Sequence, residues 1–239
     1  MKYLDHSFLT AAEDLACDEA LLDAAEEEES GEVLRFWEPA QVFVVVGYSN
    51  SISREVHVKR CNEEQIPIFR RCSGGGAVLQ CPGCLNYSLV LDAHARGLQS
   101  ISQANRWIME QQRLAVKQVA QGDIQVRGHT DLVLGERKFS GNSQRRKRRF
   151  LLFHGSFLLN ADLDQIARLL AHPSKEPEYR GSRSHVEFLI NLAIPSAKLK
   201  EALLLQWQAS ESSAPASAER IARLVQEKYR QQEWNSKFP

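Results

Sequence analysis

From Arg70 to Ser88 the chain reads RRCSGGGAVLQCPGCLNYS, with three consecutive glycines set between two arginines and an apolar pair. Glycine loses more backbone freedom on ordering than any other residue, so three in a row are costly in a segment that only turns. They suit a place where main-chain N–H groups must meet a ligand with no side chain between, and such amides form an anion-binding concavity. Arg70 or Arg71 can add charge from the preceding strand. A bulged hairpin accounts for the glycines equally well. Two nucleotide motifs are excluded. No Gly-Lys-Ser/Thr follows, as a P-loop requires, and the spacing is not that of a dinucleotide fingerprint.

Any anion site must be local, because 30 basic residues balance 30 acidic ones and no net field draws nucleic acid or an anionic membrane. With 43% hydrophobic and 25% charged residues over 239 positions, the chain reads as an ordinary globular protein of one large domain. The start, MKYLDHSFLTAAEDL, lacks the apolar centre of a signal peptide, and no run is long enough to span a bilayer. Five cysteines, an odd count, suggest free thiols in a reducing cytoplasm.

Thr10 and Glu13 have capping-box spacing before the helical run TAAEDLACDEALLDAAEEE, with Leu15 and Leu22 facing inward and Gly31 ending the element. VLRFW and VFVVVGYS read as strands, the second apolar on both faces and therefore central to a sheet. Residues 57–65 look helical. Ile68–Arg71 and Leu85–Leu91 are strands on either side of the glycines. A long amphipathic helix over Ile101–Gln121 would turn Ile101, Ile108, Leu114 and Val119 inward. Strands follow at Ile124–Val126, Asp131–Leu134, Lys138–Ser140 and Phe150–Asn160, then a helix at Asp162–Ala171. From Ser196 the chain is mainly helical, with a disordered-looking break at SESSAPASAE. Strands arriving in clusters favour an α+β fold with a mixed, largely antiparallel sheet flanked by helices.

Lys138, in GHTDLVLGERKFSGNSQ, is by itself an ordinary exposed strand residue. Cys81-Pro-Gly-Cys84 lacks the second pair that a zinc site needs, and a strand rather than a helix follows it, unlike a thioredoxin motif. QRRKRR, Gln144 to Arg149, suggests nucleic acid at first sight. Overall neutrality and the lack of interleaved aromatics make it a solvated loop, or a patch for phosphates or an acidic acceptor domain.

Taken together, these segments resemble the lipoate–protein ligases and the related octanoyltransferases. RRCSGGGAVLQCPGCLNYS is similar to their glycine-rich signature. DLACDEALL, LRFWEPAQVFVVVGYSN, TDLVLGERKFSGNSQ, HGSFLLNADL and EKYRQQEWNSKFP extend the likeness in the family's order. The resemblance implies an α/β catalytic domain of the type shared with biotin ligases and class II aminoacyl-tRNA synthetases. It is expected to span residues 1–239 with no separate C-terminal accessory domain, so that any accessory function would come from another subunit.

It also implies a reaction. Lipoate or octanoate is activated by ATP to the acyl-adenylate, and the acyl group passes to a lysine of an acceptor domain. Lys138 matches the family's essential lysine. Arg71, Ser73, Gly74, Gly75, Gly76, Ala77, Thr130, Asp131, Ser140 and Gly141 fall at its substrate- and nucleotide-binding positions, and Asp131 could hold Mg²⁺. Thr130 stands where the ligases usually have Asn. Gln80 and Cys81 replace a common His-Asp, and Cys84 a common Asn. His154 is assigned to packing. Arg180, Arg183 and His185 resemble a nucleotide-covering loop, and a plain surface turn is the alternative. The octanoyltransferases use a late cysteine as acyl carrier, and none follows Cys84 here, which favours adenylate chemistry. The alternatives are transfer from a carrier protein without ATP, and an inactive cofactor-binding homologue. Neither nucleic acid nor membrane is an expected partner.

Overall fold

The computed structural model describes residues 1–239. In chain order the strands are β1 (Lys2–Asp5), β2 (Val33–Trp37), β3 (Phe43–Val46), β4 (Ile68–Arg70), β5 (Val78–Gln80), β6 (Cys84–Asp92), β7 (Ile124–Arg127), β8 (Asp131–Leu134), β9 (Arg137–Arg146), β10 (Phe150–Leu158) and β11 (Glu211–Ser212). The helices are α1 (Ala11–Glu26), α2 (Ile52–Glu55), α3 (Val58–Glu63), α4 (Ile101–Val119), α5 (Leu163–Leu169), α6 (His185–Phe188), α7 (Ser196–Trp207), α8 (Ala218–Leu224) and α9 (Gln232–Asn235). None is long and apolar enough to cross a membrane.

Eight strands form one sheet in the order β11-β1-β2-β6-β10-β9-β8-β7. Only the β11–β1 and β1–β2 pairs are parallel. The α+β, mixed and largely antiparallel expectation is borne out. Strand β6 shows how this sheet divides its two faces. Leu85, Tyr87, Leu89 and Leu91 point into the core shared with α4 and α7. The alternate residues Cys84, Asn86 and Ser88 point the other way, where only Val90 joins the apolar packing beneath α1. A fully buried strand with a polar half-face has to meet something other than a core.

What it meets is a second sheet, β4-β3-β5. Here β3 is central, as its two-sided apolar sequence requires. Phe43 and Val45 pack toward α1, while Val44 and Val46 pack toward α5 and α6. Strand β5 has no counterpart among the expected strands, and it excludes the hairpin. Strands β4 and β5 lie on opposite sides of β3, so residues 71–77 cross over the end of β3. The crossing is tight. A Cβ on Gly47 would stand 2.0 Å from the Gly75 carbonyl oxygen. G47A should therefore cost about 1–3 kcal/mol by overpacking, read as a lower urea midpoint, and should displace the glycine segment.

Several local expectations need correction. The capping box of α1 is present, with the Thr10 side chain accepting from the Glu13 N–H. The helix nevertheless stops before Gly31, with Glu28 taking a left-handed conformation. Helix α4 buries Ala104, Ile108, Met109, Gln112, Ala115 and Val116, while Ile101 and Leu114 are exposed. Leu114 sits six residues from Ile108, well off the inward azimuth, and Ile101 lies in the first turn, before the packed stretch begins. The break at 210–219 contains β11, which pairs in parallel with β1. The basic run ends β9 and turns into β10, and its cations meet the acids at the end of α1: Lys147 with Asp23 and Arg148 with Glu26. Arg149 meets Asp92. That patch is largely neutralised within the chain.

The C-terminal residues strap the small sheet through Arg70. The guanidinium of Arg70 is buried and donates to the carbonyls of Gly47, Tyr48, Asn50, Trp234 and Phe238. Trp234 Nε1 donates back to the Arg70 carbonyl. The Pro239 carbonyl accepts from Ser51 Oγ at 2.6 Å. Arg70 is thus consumed by main chain and offers no charge to a ligand.

Candidate active site

Between the polar half-face of the large sheet and the small sheet lies a cavity of about 760 Å³. Strand register sets its floor in rows. One row runs Trp37, Asn86, Ser156, Gly141 and Asp131; in the next, Arg35, Ser88, His154 and Ser143, only His154 and Ser143 reach the cavity. Gln80 reaches from β5 to this floor and exchanges hydrogen bonds with Asn86 at 2.8 and 2.9 Å. Val45, Val78 and Leu79 supply an apolar wall from the small sheet. The cavity therefore offers an apolar wall beside a polar floor, the pattern of a small-molecule site.

Lys138 enters this cavity because β9 is irregular. Leu132 pairs with Ser140 and Val133 with Lys138, so Phe139 is an extra residue. Phe139 is buried in the core beneath α4. Without the bulge, Lys138 would lie opposite Leu134, which packs against the core beneath α4; the extra residue places it opposite Val133 instead. Its ammonium meets Asp131 Oδ1 at 2.8 Å. Gly141 leaves the space, since a Cβ there would lie 2.6 Å from Lys138 Nζ. Asp131 Oδ2 accepts from the Tyr179 hydroxyl at 2.8 Å, so both carboxylate oxygens are engaged. Thr130 Oγ1 donates to the Asn142 carbonyl at 2.7 Å.

Gly75 and Gly76 line the same cavity as Lys138, and the glycine segment rests on β9, where Ser143 Oγ donates to the Gly74 carbonyl at 2.9 Å. Arg71 is buried but lines the cavity, and it ties the segment into a loop by donating to the carbonyls of Gly74 and Gly76 at 2.6 and 2.8 Å. Burial brings its pKa down to about 10, which leaves the group charged at neutral pH. Gly75 takes φ of +87°, a left-handed conformation that favours glycine, and a Cβ would strike the Arg71 guanidinium. Gly74 and Gly76 have nothing within 4 Å of a built Cβ. Gly75, Gly76 and Ala77 line the cavity with Thr130, Asp131, Lys138, Ser140 and Gly141, whereas Gly74 and Ser73 do not. Ser73 is buried one layer back.

The position of Ser73 corrects the reading of His154 as packing. His154 Nε2 is 2.5 Å from Ser73 Oγ, and Nδ1 is 3.2 Å from Asp18 Oδ2. Asp18 Oδ1 accepts from Arg35 at 2.6 Å. Burial works against its charge, but Arg35 and the hydrogen bond from His154 hold its carboxyl below the usual range. An ionised carboxylate only accepts, so Nδ1 carries a proton toward Asp18, while Nε2 pairs with the Ser73 hydroxyl. The glycine segment is thereby tied to β10 and α1 through Ser73, His154 and Asp18. The sequence held one signal of this: Asp14 and Asp18 stand four apart on the otherwise apolar buried face of α1, where acids need a buried cation.

Asp14 shares Arg35 with Asp18. Burial pushes its carboxyl up from 3.8 to about 6, against the pull of Arg35. Between those values the folded chain holds a proton that the unfolded chain lacks, so this group's contribution is complete below about pH 4 and lost as pH rises through about 6. D14N should remove that slope. The difference in stability between wild type and D14N should change by about 3 kcal/mol from pH 4 to pH 7, measured by urea melts across that range.

Residues 173–189 cover the far side of the cavity. Arg180 and Arg183 are turned inward within the segment: Arg180 Nε donates to the Arg183 carbonyl and Arg183 Nε to that of Arg180. Both guanidinium groups stack on Phe188. Of the two, only Arg180 lines the cavity, together with His185. No three His, Cys, Asp or Glu side chains converge as a ready-made metal cage. Asp131 fits Mg²⁺ only in the way that ion commonly binds, through one carboxylate and the phosphate oxygens of a substrate.

A family profile described as "Lipoyl protein ligase A/B catalytic domain" matches residues 10–208. Lipoate–protein ligase 1 of Staphylococcus aureus is 25% identical over 98% of this chain and 73% of its own length. An octanoyltransferase, LipM of Carboxydothermus hydrogenoformans, is 26% identical over 99% of this chain and 98% of its own. Among solved structures, the bi-partite lipoate protein ligase of Thermoplasma acidophilum, described with its E2 lipoyl domain, superposes with a TM-score of 0.84 at 22% identity, covering 100% of this chain and 96% of that one. A lipoate–protein ligase A bound with ATP gives 0.80 at 22% identity, covering 100% and 99%. By the extent of that profile over the residues that build the cavity, the chain belongs to the lipoyl protein ligase A/B catalytic domain family.

Proposed function

We propose that this chain is an ATP-dependent lipoate–protein ligase that activates lipoate or octanoate as the acyl-adenylate and passes it to a lysine of a lipoyl domain. One observation carries the reading. Lys138 and the glycine segment line one cavity to which none of the five cysteines contributes a wall. In the first step a carboxylate oxygen of the fatty acid attacks the α-phosphorus and pyrophosphate leaves. In the second, the acceptor amine attacks the acyl carbon and AMP leaves. Both transition states gather negative charge on oxygen. In this reading the Lys138 ammonium, the charged Arg71 and the amides of Gly75 and Gly76 supply fixed positive potential there. Asp131 would hold Mg²⁺ at the phosphates, exchanging its bond to Lys138 for the metal. Val45, Val78 and Leu79 would take the aliphatic chain.

A second reading has its own support. The octanoyltransferase relative is matched over 98% of its length, so transfer from a carrier protein without ATP is the competing activity. The two are separated by supplying lipoate, ATP and Mg²⁺ with a lipoyl domain, or octanoyl-carrier protein alone. Release of pyrophosphate and an acylated acceptor in the first mixture supports the ligase. Acylation only in the second overturns it in favour of the transferase, and ligand binding without either product marks an inactive homologue. A separate accessory chain belongs to the proposal, because the Thermoplasma neighbour is described as bi-partite. The first mixture is therefore also run with such a subunit.

A further inference from the structure

Cys81 and Cys84 take no part in the chemistry proposed above, yet they are placed for chemistry of their own. They open and close the turn between β5 and β6, with the Cys84 N–H donating to the Cys81 carbonyl at 3.0 Å. Proline at the second position and Gly83 at the third, with φ of +93°, give the signature of a type II turn. Such a turn keeps its first and last Cα atoms within about 7 Å, which overlaps the span a disulfide bridges, about 4.4–6.8 Å. The two sulfurs are 3.8 Å apart and both cysteines are free. A Cβ on Gly83 would lie 2.2 Å from the Asn160 carbonyl oxygen, so the turn is clamped against the chain that leads into α5.

Their surroundings link the turn to the cavity. Cys84 is paired with Leu158 across β6 and β10, one row beyond Asn86 and Ser156. Leu158, Asn86 and Ser156 all line the cavity, as does Gln80, the residue before Cys81. Pro82 is exposed, so the thiols lie directly beneath a surface turn. The two are also chemically unequal. The hydrogen bond from Cys84, joined by one from the Asp162 N–H, brings the Cys81 thiol down to about 7. That same bond, with burial, pushes Cys84 well up. Burial pushes Cys17 up to about 11 and Cys72 up to about 12, and it raises Cys61 as well.

We propose that Cys81 and Cys84 are a dithiol–disulfide site directly behind the cavity lining, oxidised by thiol exchange with a small disulfide. The Cys81 thiolate attacks one sulfur of the disulfide, the S–S bond breaks, and one thiolate leaves. Cys84 then gives up its proton and attacks the Cys81 sulfur, which breaks the mixed disulfide and releases the second thiolate. The protein loses two electrons and two protons, and the small disulfide becomes two thiols. Two sources share this chemistry. One is a linear cellular disulfide of the glutathione type. The other is a cyclic dithiolane such as lipoate, which under the ligase reading is also the substrate. The site itself does not depend on that reading.

The test uses the full-length protein, reduced and then freed of reductant, exposed in separate arms to glutathione disulfide and to lipoate, with no ATP in either. Intact-mass and peptide-mass spectra are recorded under acid quench. Loss of two hydrogens, mapped to a bridge between residues 81 and 84, is the expected result in at least one arm, and the arm that gives it identifies the source. C84S should stop at the mixed disulfide on Cys81, and C81S should gain no adduct at Cys84. No bridge in either arm, or adducts on Cys17, Cys61 or Cys72 in preference to Cys81, overturns the proposal. The wild-type spectra decide this even if a serine variant folds poorly. Pyrophosphate release is measured separately, so a failed ligase reading is distinguishable from a failed dithiol site.

Discussion

Alanine at position 138 should lower pyrophosphate release by about 10²–10³-fold, the loss of roughly 2.7–4 kcal/mol that follows removal of one preorganised electrostatic donor. The fold should survive, because the Lys138 side chain is partly exposed and its only ionic partner, Asp131, keeps the Tyr179 hydroxyl as a donor. K138R tests geometry against charge. A planar guanidinium in the space above Gly141 keeps the positive charge but not the point-like ammonium, and activity should recover only in small part. The measurement is single-turnover pyrophosphate release with lipoate and ATP, beside a thermal melt showing an unchanged fold. A K138A protein that retains wild-type turnover removes the lysine from the mechanism.

The second large effect concerns stability. Arg35 is fully buried and is the shared partner of Asp14 and Asp18, with further bonds to the carbonyls of His6 and Asp14. R35M leaves two carboxylates in the interior without their cation and should cost about 3–5 kcal/mol, read from urea melts at pH 7. Removing all three charges in R35M/D14N/D18N should recover most of that loss, since no charge is then left stranded. Activity should not return with it. With D18N in place His154 faces a neutral amide instead of a charged acceptor, so the ring and the Ser73 it holds lose their fixed orientation. A triple variant as unstable as R35M alone would show that the cluster acts through packing rather than charge.

What the sequence revealed and what it hid divide along a physical line. SGGGAV and Lys138 each left a plain structural reading open, and only the family resemblance of their segments singled them out; the structure brings both to one cavity. Helix α1 was legible because Thr10 and Glu13 cap it locally. The link from Asp18 through His154 to Ser73 was hidden because its members come from α1, β10 and the β4–β5 crossing, and only sheet register brings them together. The placement of Lys138 was hidden for a related reason. A strand in unbroken register puts it opposite Leu134, and the extra residue at Phe139 places it opposite Val133 instead. Strand β5 is three residues long, too short to announce itself beside three glycines. QRRKRR misleads in the other direction, since a run of cations looks free until the acids of α1 are found facing it.

The strap through Arg70 has a practical consequence for anyone handling this protein. Pro239 ends against Ser51, and Lys237 Nζ lies 3.0 Å from the Tyr48 hydroxyl, on the same short loop as Gly47. Removing residues 234–239 would leave the buried Arg70 guanidinium with three of its five carbonyl partners, those of Gly47, Tyr48 and Asn50, and would slacken the loop whose Gly47 abuts Gly75.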